Sequence, residues 1–377
     1  MNAGKKAART PGIARTLGRY RAEIEAGLRA AVSPAAAAPR APESARALAT
    51  MYGQIEYHLG WRAEDLSPAQ GDPGKLLRPT LTLLAAELAG GGDAVGRALP
   101  AAVTVEMIHN FSLIHDDIED GDEARRGRPT LWKIWGQAQA INSGDALFSM
   151  ARMGVWELAR LGVEPGLVVR LGKLLDQTCL ELCEGQHLDM SFEGRREVTE
   201  EMYLDMIGRK TAALMSCAAE VGARIGAPED DTLGDQLGAF GRALGLAFQL
   251  RDDVLGIWAA KELGKSYAGD VRRKKMTLPV IHALAQAASE DREALVAIYA
   301  ARGLATDEQV ARTLEILDRS GSRARAYHAL REQLDIATAA LESARRKAPA
   351  QGASAREAGE ALMSLVDFIR ADATIDG

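Results

Sequence analysis

Cysteine is scarce in this chain. Three thiols, Cys179, Cys183 and Cys217, in 377 residues are too few for a disulfide framework, and no CxxC pair offers a zinc or redox site. Cys179 and Cys183 stand four apart on one helical face and read as core residues. Aromatic residues make up only 5 %, and strand-forming runs are correspondingly rare. No stretch approaches the roughly 18 consecutive apolar residues of a membrane span. There is no basic excess: 46 Lys and Arg against 52 Asp and Glu give a net charge of −6, opposite in sign to the footprint of a general nucleic-acid binder. The N-terminus carries six bases (Lys5, Lys6, Arg9, Arg15, Arg19, Arg21) before its first acid, Glu23, but no apolar core for a secretory signal. An organelle transit peptide has a similar composition; a basic arm leading into a first helix is the simpler reading. A soluble, reduced, cytoplasmic protein is expected.

Helix formers fill the rest. Hydrophobic residues reach 47 % at a mean hydropathy of −0.13, enough for a substantial core and too polar for a membrane bundle. Ala, Leu, Glu and Arg dominate, and apolar residues recur at three and four spacing. Gly- and Pro-rich punctuation at 33–44, 60–74, 90–93, 119–129, 163–166 and 226–231 cuts the chain into helices of ordinary length. Pro100 suits a first turn, which predicts a helix from there to about Asp120 and Gly121. No repeat of 20–50 residues emerges. The expectation is all-α: a basic arm and first helix over 1–45, then one large helical domain over 46–377.

Two of these helices end oddly. From Val103 to Ile118 the first is apolar nearly all round, which marks a buried helix. Yet its last turn carries Asp116, Asp117, Glu119 and Asp120, acids at the negative end of the helix dipole. The second repeats this, with LGLAFQL (244–250) running into Arg251, Asp252 and Asp253. Asp116 and Asp120, four apart, share a face. Paired carboxylates there suit a hard cation such as magnesium, which keeps waters and accepts phosphate oxygens. A solvated helix end is the ordinary explanation of one acidic run, but two such runs behind apolar helices weaken it. Five basic clusters accompany them: GKLLRP (74–79), RRG (125–127), GRKT (208–211), GK (264–265) and RRKK (272–275). Arginine grips phosphate bidentately and lysine meets it as a point charge. Together the clusters suit two diphosphates, one held through magnesium and one directly. Other motifs fail: GKS (264–266) lacks the P-loop's earlier glycine, position 259 being Ala, and no GxSxG elbow is present.

LIHDDIED (113–120) followed by RRGRPT (125–130) resembles the first aspartate-rich motif of the trans-prenyl diphosphate synthases. GKLLRP is similar to that family's GKxxRP signature. EGQHLDM (184–190), KTAAL (210–214), AFQLRDD (247–253) and ELGKSYAGDVRRKKMTLP (262–279) resemble its later motifs, in order. The likeness runs from about residue 50 to 285. It implies one large helical bundle around a deep pocket, a homodimer, and three magnesium ions held by Asp116, Asp120 and Asp252, with Asp253 beside them. An allylic diphosphate would meet Arg125, Lys210, Lys265 and Lys275. Isopentenyl diphosphate would meet Gly74, Lys75, Arg78, His109 and Arg126. Thr211 and Gln249 would face the allylic cation, and Phe248 would wall the site.

Two departures stand out. The second aspartate motif reads DDVLG, so Gly256 replaces its last acid, with Asp270 available to help through water. Leu76 stands where arginine is common. Phe111, five residues before Asp116, and Ser112, four before, resemble the chain-length positions of short-chain enzymes. The first aspartate motif also lacks the two-residue insertion of many bacterial farnesyl synthases, and by that resemblance a twenty-carbon product, geranylgeranyl diphosphate, is favoured, with the fifteen-carbon farnesyl product next. A terpene cyclase would not need Lys75, Arg78 and Arg126, and a non-catalytic partner subunit would be expected to lose its metal-binding acids.

Overall fold

The computed structural model describes residues 11–33, 42–193, 195, 197–258, 268–350 and 352–372. Helices dominate: α1 (Pro11–Gly18), α2 (Arg21–Val32), α3 (Pro42–His58), α4 (Leu77–Gly90), α5 (Asp93–Glu119), α6 (Leu131–Trp135), α7 (Gln137–Arg160), α8 (Pro165–Phe192) and α9 (Glu200–Ile207). A π-helical turn, Gly208–Ala212, leads into α10 (Ala213–Gly226). Then follow α11 (Asp231–Trp258), α12 (Gly269–Arg272), α13 (Leu278–Gln286), α14 (Ser289–Ala300), α15 (Asp307–Arg319), α16 (Ser322–Lys347) and α17 (Ala353–Asp372).

The bundle is organised around helices with apolar residues on every side. On α5, Val103, Val105, Met107, Ile108, Phe111 and Ile114 are all buried, and α4 is buried continuously from Pro79 to Ala89. Such helices need neighbours all round. α7 and α4 flank α5, α10 packs on α4, and α11 lies between α10 and α16. The short helices α1 and α2 join the same core through Ile13, Ile24, Leu28 and Val32. A smaller core beneath α12–α15 gathers Ile257, Val271, Val280, Leu295, Ile316 and Leu317.

Three local expectations are corrected. Pro100 does not open a helix; α5 starts at Asp93 and runs through the proline, because a buried apolar helix recovers by packing what a lost backbone bond costs. The segment 119–129 is not plain loop. Residues Ala124–Arg125 and Arg128–Pro129 pair antiparallel around Arg126 and Gly127, both at positive φ (53° and 75°), the backbone of a two-residue hairpin turn. Cys183 is exposed while Cys179 is buried, so only the latter belongs to the core. No helix among the described residues is long and apolar enough to cross a membrane.

Candidate active site

The last turn of α5 delivers its acids to separate tasks. Asp117 is buried, and the Arg125 Nε–H donates to its Oδ1 at 2.7 Å. Burial pushes the Asp117 carboxyl up to about 6 against the pull of Arg125. The aspartate thus anchors the hairpin that carries Arg125 and Arg126. Asp116 is pushed up to about 7 by burial, with Lys210 opposing the shift and Asp120 adding to it. A desolvated carboxylate beside a second one is an arrangement that a cation would relieve.

A chain of hydrogen bonds ties this helix end to the other acidic one. Asp120 Oδ1 accepts from Gln186 Nε2 on α8 at 3.1 Å. One turn on, Asp189 Oδ2 accepts from Lys210 Nζ at 2.5 Å. Next to it in the π turn, Thr211 Oγ1 donates to Gln249 Oε1 on α11 at 3.0 Å. Gln249 Nε2 donates to Asp253 Oδ1 at 3.0 Å, and the Tyr203 hydroxyl of α9 donates to Asp253 Oδ2. The π turn, a feature often found at functional sites, turns Lys210 toward α8 and Thr211 toward α11. α8 approaches it closely because residue 185 is glycine: a Cβ there would lie 2.6 Å from Lys210 Cα.

Asp253 is the more enclosed of the two adjacent acids. It is 4 % exposed, and both its oxygens accept hydrogen bonds from Tyr203 and Gln249. It sets the amide of Gln249 rather than standing open beside Asp252. Asp252 lies nearer solvent, with Arg251 Nη1 3.7 Å from its Oδ1. Gly256 has a visible reason: a Cβ at that position would fall 2.7 Å from Cγ of Asp270, with Oδ2 nearer still. The Asp270 carboxylate occupies the place that the absent acid's side chain would enter. It is also paired to Arg273 at 3.2 Å.

Further cations, Lys75, Arg78 and Arg126, stand near Gly74 and His109, and Arg126 lines one cavity with Arg125 and Asp117. Gly74 has φ +92° and presses against the Arg126 guanidinium, 2.8 Å from where a Cβ would be. Arg78, in the first turn of α4, is partly buried, and its Nη1 lies 3.2 Å from His109 Nε2. Burial and the guanidinium groups of Arg78 and Arg126 hold His109 well below the usual imidazole range. A neutral ring accepts from Arg78. Leu76 is 3 % exposed and at φ +51°, so this backbone turns an apolar side chain inward where arginine was the common residue. Lys75 Nζ lies 5.5 Å from the ring centre of Phe248.

Of the remaining candidates, Phe111 packs edge-on to Phe148 of α7, ring centres 5.0 Å apart, and Ser112 Oγ donates to the His109 carbonyl at 2.9 Å. Lys275 is exposed. Its neighbours Arg272, Arg273 and Lys274 bind Asp307, Asp270 and the Ala301 carbonyl. Lys265 lies outside the described residues. Gln186, Asp189 and Tyr203 escape a reading by motif chemistry. The first two sit three apart within EGQHLDM, and that spacing is the signal available for them.

Magnesium fits the donor set. Asp116, Asp120 and Asp252 supply only hard oxygens. Magnesium characteristically takes one or two carboxylates, waters and substrate phosphates rather than a full protein cage.

Comparison with known proteins gives the family. The polyprenyl synthetase family model matches residues 64–317. The geranylgeranyl diphosphate synthase of Mycobacterium tuberculosis is 43 % identical over 309 residues, covering 81 % of this chain and 85 % of that protein. A (2E,6E)-farnesyl diphosphate synthase of the same organism is 41 % identical over 273 residues, 71 % of this chain and 74 % of that one. The crystal structure of polyprenyl synthetase from Streptomyces coelicolor A3(2) superposes with a TM-score of 0.81 at 37 % identity, covering 95 % of this chain and 99 % of the other. The chain belongs to the polyprenyl synthetase family.

Proposed function

We propose that the protein is a short-chain trans-prenyl diphosphate synthase that condenses isopentenyl diphosphate with an allylic diphosphate to give geranylgeranyl diphosphate. The observation that carries this is the presence of two sets of cations at one site: Lys210 and Arg125, paired to Asp189 and Asp117, and Lys75, Arg78 and Arg126, near Gly74 and His109. One group faces a diphosphate together with metal, the other a diphosphate without it. Both diphosphates are needed only if two substrates are joined.

Asp116, Asp120 and Asp252 would hold magnesium, three ions in our reading, whose chemistry is to neutralise the departing diphosphate. Lys210, fixed by Asp189, and Arg125, fixed by Asp117, take up negative charge as the allylic C1–O bond breaks. Thr211 spends its only proton on Gln249, so its oxygen presents lone pairs to the allylic cation. Asp253 can only accept when ionised, which turns the Gln249 Nε2 toward it and leaves Oε1 on the Thr211 side. The double bond of isopentenyl diphosphate, held by Lys75, Arg78, His109 and Arg126, attacks the allylic C1. A new C–C bond forms, and a proton from the resulting adduct passes to the released diphosphate. Asp270 stands as the third acid of the second cluster in place of residue 256. Phe111 and Phe148 close the tunnel along α5. The outer faces of α7 and α8, adjacent helices bearing exposed Met153, Trp156, Val169 and Leu180, fit a homodimer.

Incubation with magnesium, isopentenyl diphosphate and allylic diphosphates of five, ten or fifteen carbons tests the reading. Products ending at twenty carbons are expected. A series ending at fifteen makes the enzyme a farnesyl synthase, and a cyclic hydrocarbon formed without isopentenyl diphosphate refutes the condensation.

A further inference from the structure

We propose that Phe368, on the C-terminal helix α17, is a positioning residue for Lys75 and so for the diphosphate of isopentenyl diphosphate. The proposal rests on the assignment of Lys75 to that substrate. Two rings and two cations from three parts of the chain meet here. Lys75 Nζ lies 5.5 Å from the Phe248 ring centre and 6.0 Å from that of Phe368. The Arg251 guanidinium lies 4.7 Å from Phe368 and 6.0 Å from Phe248. Each ring thus offers its electron-rich face to both cations.

This arrangement matters because of what Lys75 is. Its stem is long and flexible, and an ammonium left to wander would have to be ordered each time substrate bound. Backbone geometry restrains the lysine from one side, through Gly74 at φ +92° and Leu76 at +51°. The two rings restrain it from the other. Phe368 also lies against a buried charge of the same sign: Arg251 is 3 % exposed, and its guanidinium is 4.7 Å from the ring centre. Arg251 in turn sits beside Asp252, so the same aromatic contact joins the C-terminal helix to both substrate regions.

The fold does not need Phe368 to place α17. Leu362, Leu365, Val366 and Ile369 are buried in the core, and Ser364 on the same helix is hydrogen-bonded to Thr16 at 2.8 Å. Phe368 is only partly buried. Its ring chemistry is therefore separable from its packing, and Phe368→Leu keeps the apolar volume while removing the π face.

Steady-state kinetics with each substrate varied separately, on Phe368→Leu, Phe368→Tyr and Lys75→Ala, decide the matter. Because Lys75 is exposed, Phe368→Leu is expected to raise KM for isopentenyl diphosphate about two- to fivefold, a typical cation–π contribution at an exposed site, while KM for the allylic substrate stays within twofold. Phe368→Tyr, which keeps the ring, is expected to behave as wild type. In a Lys75→Ala background, Phe368→Leu should add nothing, the non-additivity of two residues acting through one contact. An unchanged isopentenyl KM in Phe368→Leu overturns the proposal if Lys75→Ala raises it. If Lys75→Ala also leaves that KM unchanged, the assignment of Lys75 falls first. Equal loss for both substrates with a lowered Tm would make Phe368 merely structural and overturn the proposal as well.

Discussion

Gly256→Ala isolates the role of Asp270 with a single methyl group. Residue 256 lies inside α11, where Ala is ordinarily favoured over Gly by roughly 0.5–1 kcal/mol. Here the added Cβ would come within 2.7 Å of the Asp270 Cγ, and overpacking of that kind typically costs about 1–3 kcal/mol. The atoms in the way are the end of a short side chain on the four-residue helix α12, and its pairing with Arg273 is a partly exposed one. The carboxylate therefore gives way more easily than backbone would. The two effects nearly cancel in stability, leaving Tm within a few degrees, while Asp270 swings out of place. If Asp270 supports the second acid cluster through water, its displacement should lower magnesium affinity about 10–100-fold, the usual effect of losing an outer-shell ligand. The assay is activity against magnesium concentration for wild type, Gly256→Ala, Asp270→Ala and the exchange Gly256→Asp/Asp270→Gly. The two single variants should share a shifted magnesium requirement, and the exchange should recover most of it by moving the acid back to the motif's usual position. A Gly256→Ala enzyme with wild-type magnesium dependence would refute the reasoning, because the displaced carboxylate would then have had no part in the site.

Other contacts make equally specific demands. Asp189→Asn weakens the ion pair that aims Lys210, and kcat is expected to fall about 10–100-fold, roughly 1.5–3 kcal/mol of transition-state stabilisation; a change of under twofold in single-turnover rate would remove Asp189 from the site. Phe111 lies five residues, about 7.5 Å of helix rise, below Asp116, so Phe111→Ala should lengthen the product by at least one isoprene unit on sizing of the dephosphorylated alcohols, and unchanged length would move the floor elsewhere. His58 is held down to about 3 by burial and by Arg126 and Arg125, and its buried Nε2 has no hydrogen-bond partner. Above pH 6.5 the ring is neutral folded or unfolded and contributes no pH dependence; below it only the unfolded chain takes the proton. Its contribution is thus lost as pH falls, by about 2–3 kcal/mol between pH 6.5 and 4.5. Denaturant titrations of His58→Gln should show a correspondingly flatter acid limb, and an identical limb would contradict the assignment.

The parts of the site legible in the sequence are those within one or two turns of a single helix. Asp116 and Asp120 announce themselves because four-residue spacing fixes a shared face and because acids at the end of a buried helix are anomalous on dipole grounds. The same local logic covers Asp252 at the second acidic helix end, and Lys210 stands out within a basic cluster, whereas Thr211 and Gln249 are marked only by the resemblance to the trans-prenyl diphosphate synthases. That logic does not reveal the surroundings of Asp253, which has the same chemistry and an adjacent position but another face of the helix: Tyr203, fifty residues away, donates to it. It fails at Asp189 and Phe368 for the same reason, since their partners arrive from other helices and leave no periodic trace. Pro100 misleads because propensity is a local preference that the core of α5 overrides. What long-range packing adds is coupling. The pairs Asp120–Gln186, Asp189–Lys210, Thr211–Gln249 and Gln249–Asp253, joined through the backbone of α8 and of the π turn, make a path from the end of α5 to that of α11. A substitution in the middle of that path, at Asp189 or Gln249, should therefore disturb both ends, whereas one at Arg126 should affect only the metal-free diphosphate. That asymmetry separates a connected catalytic wall from a collection of independent charges.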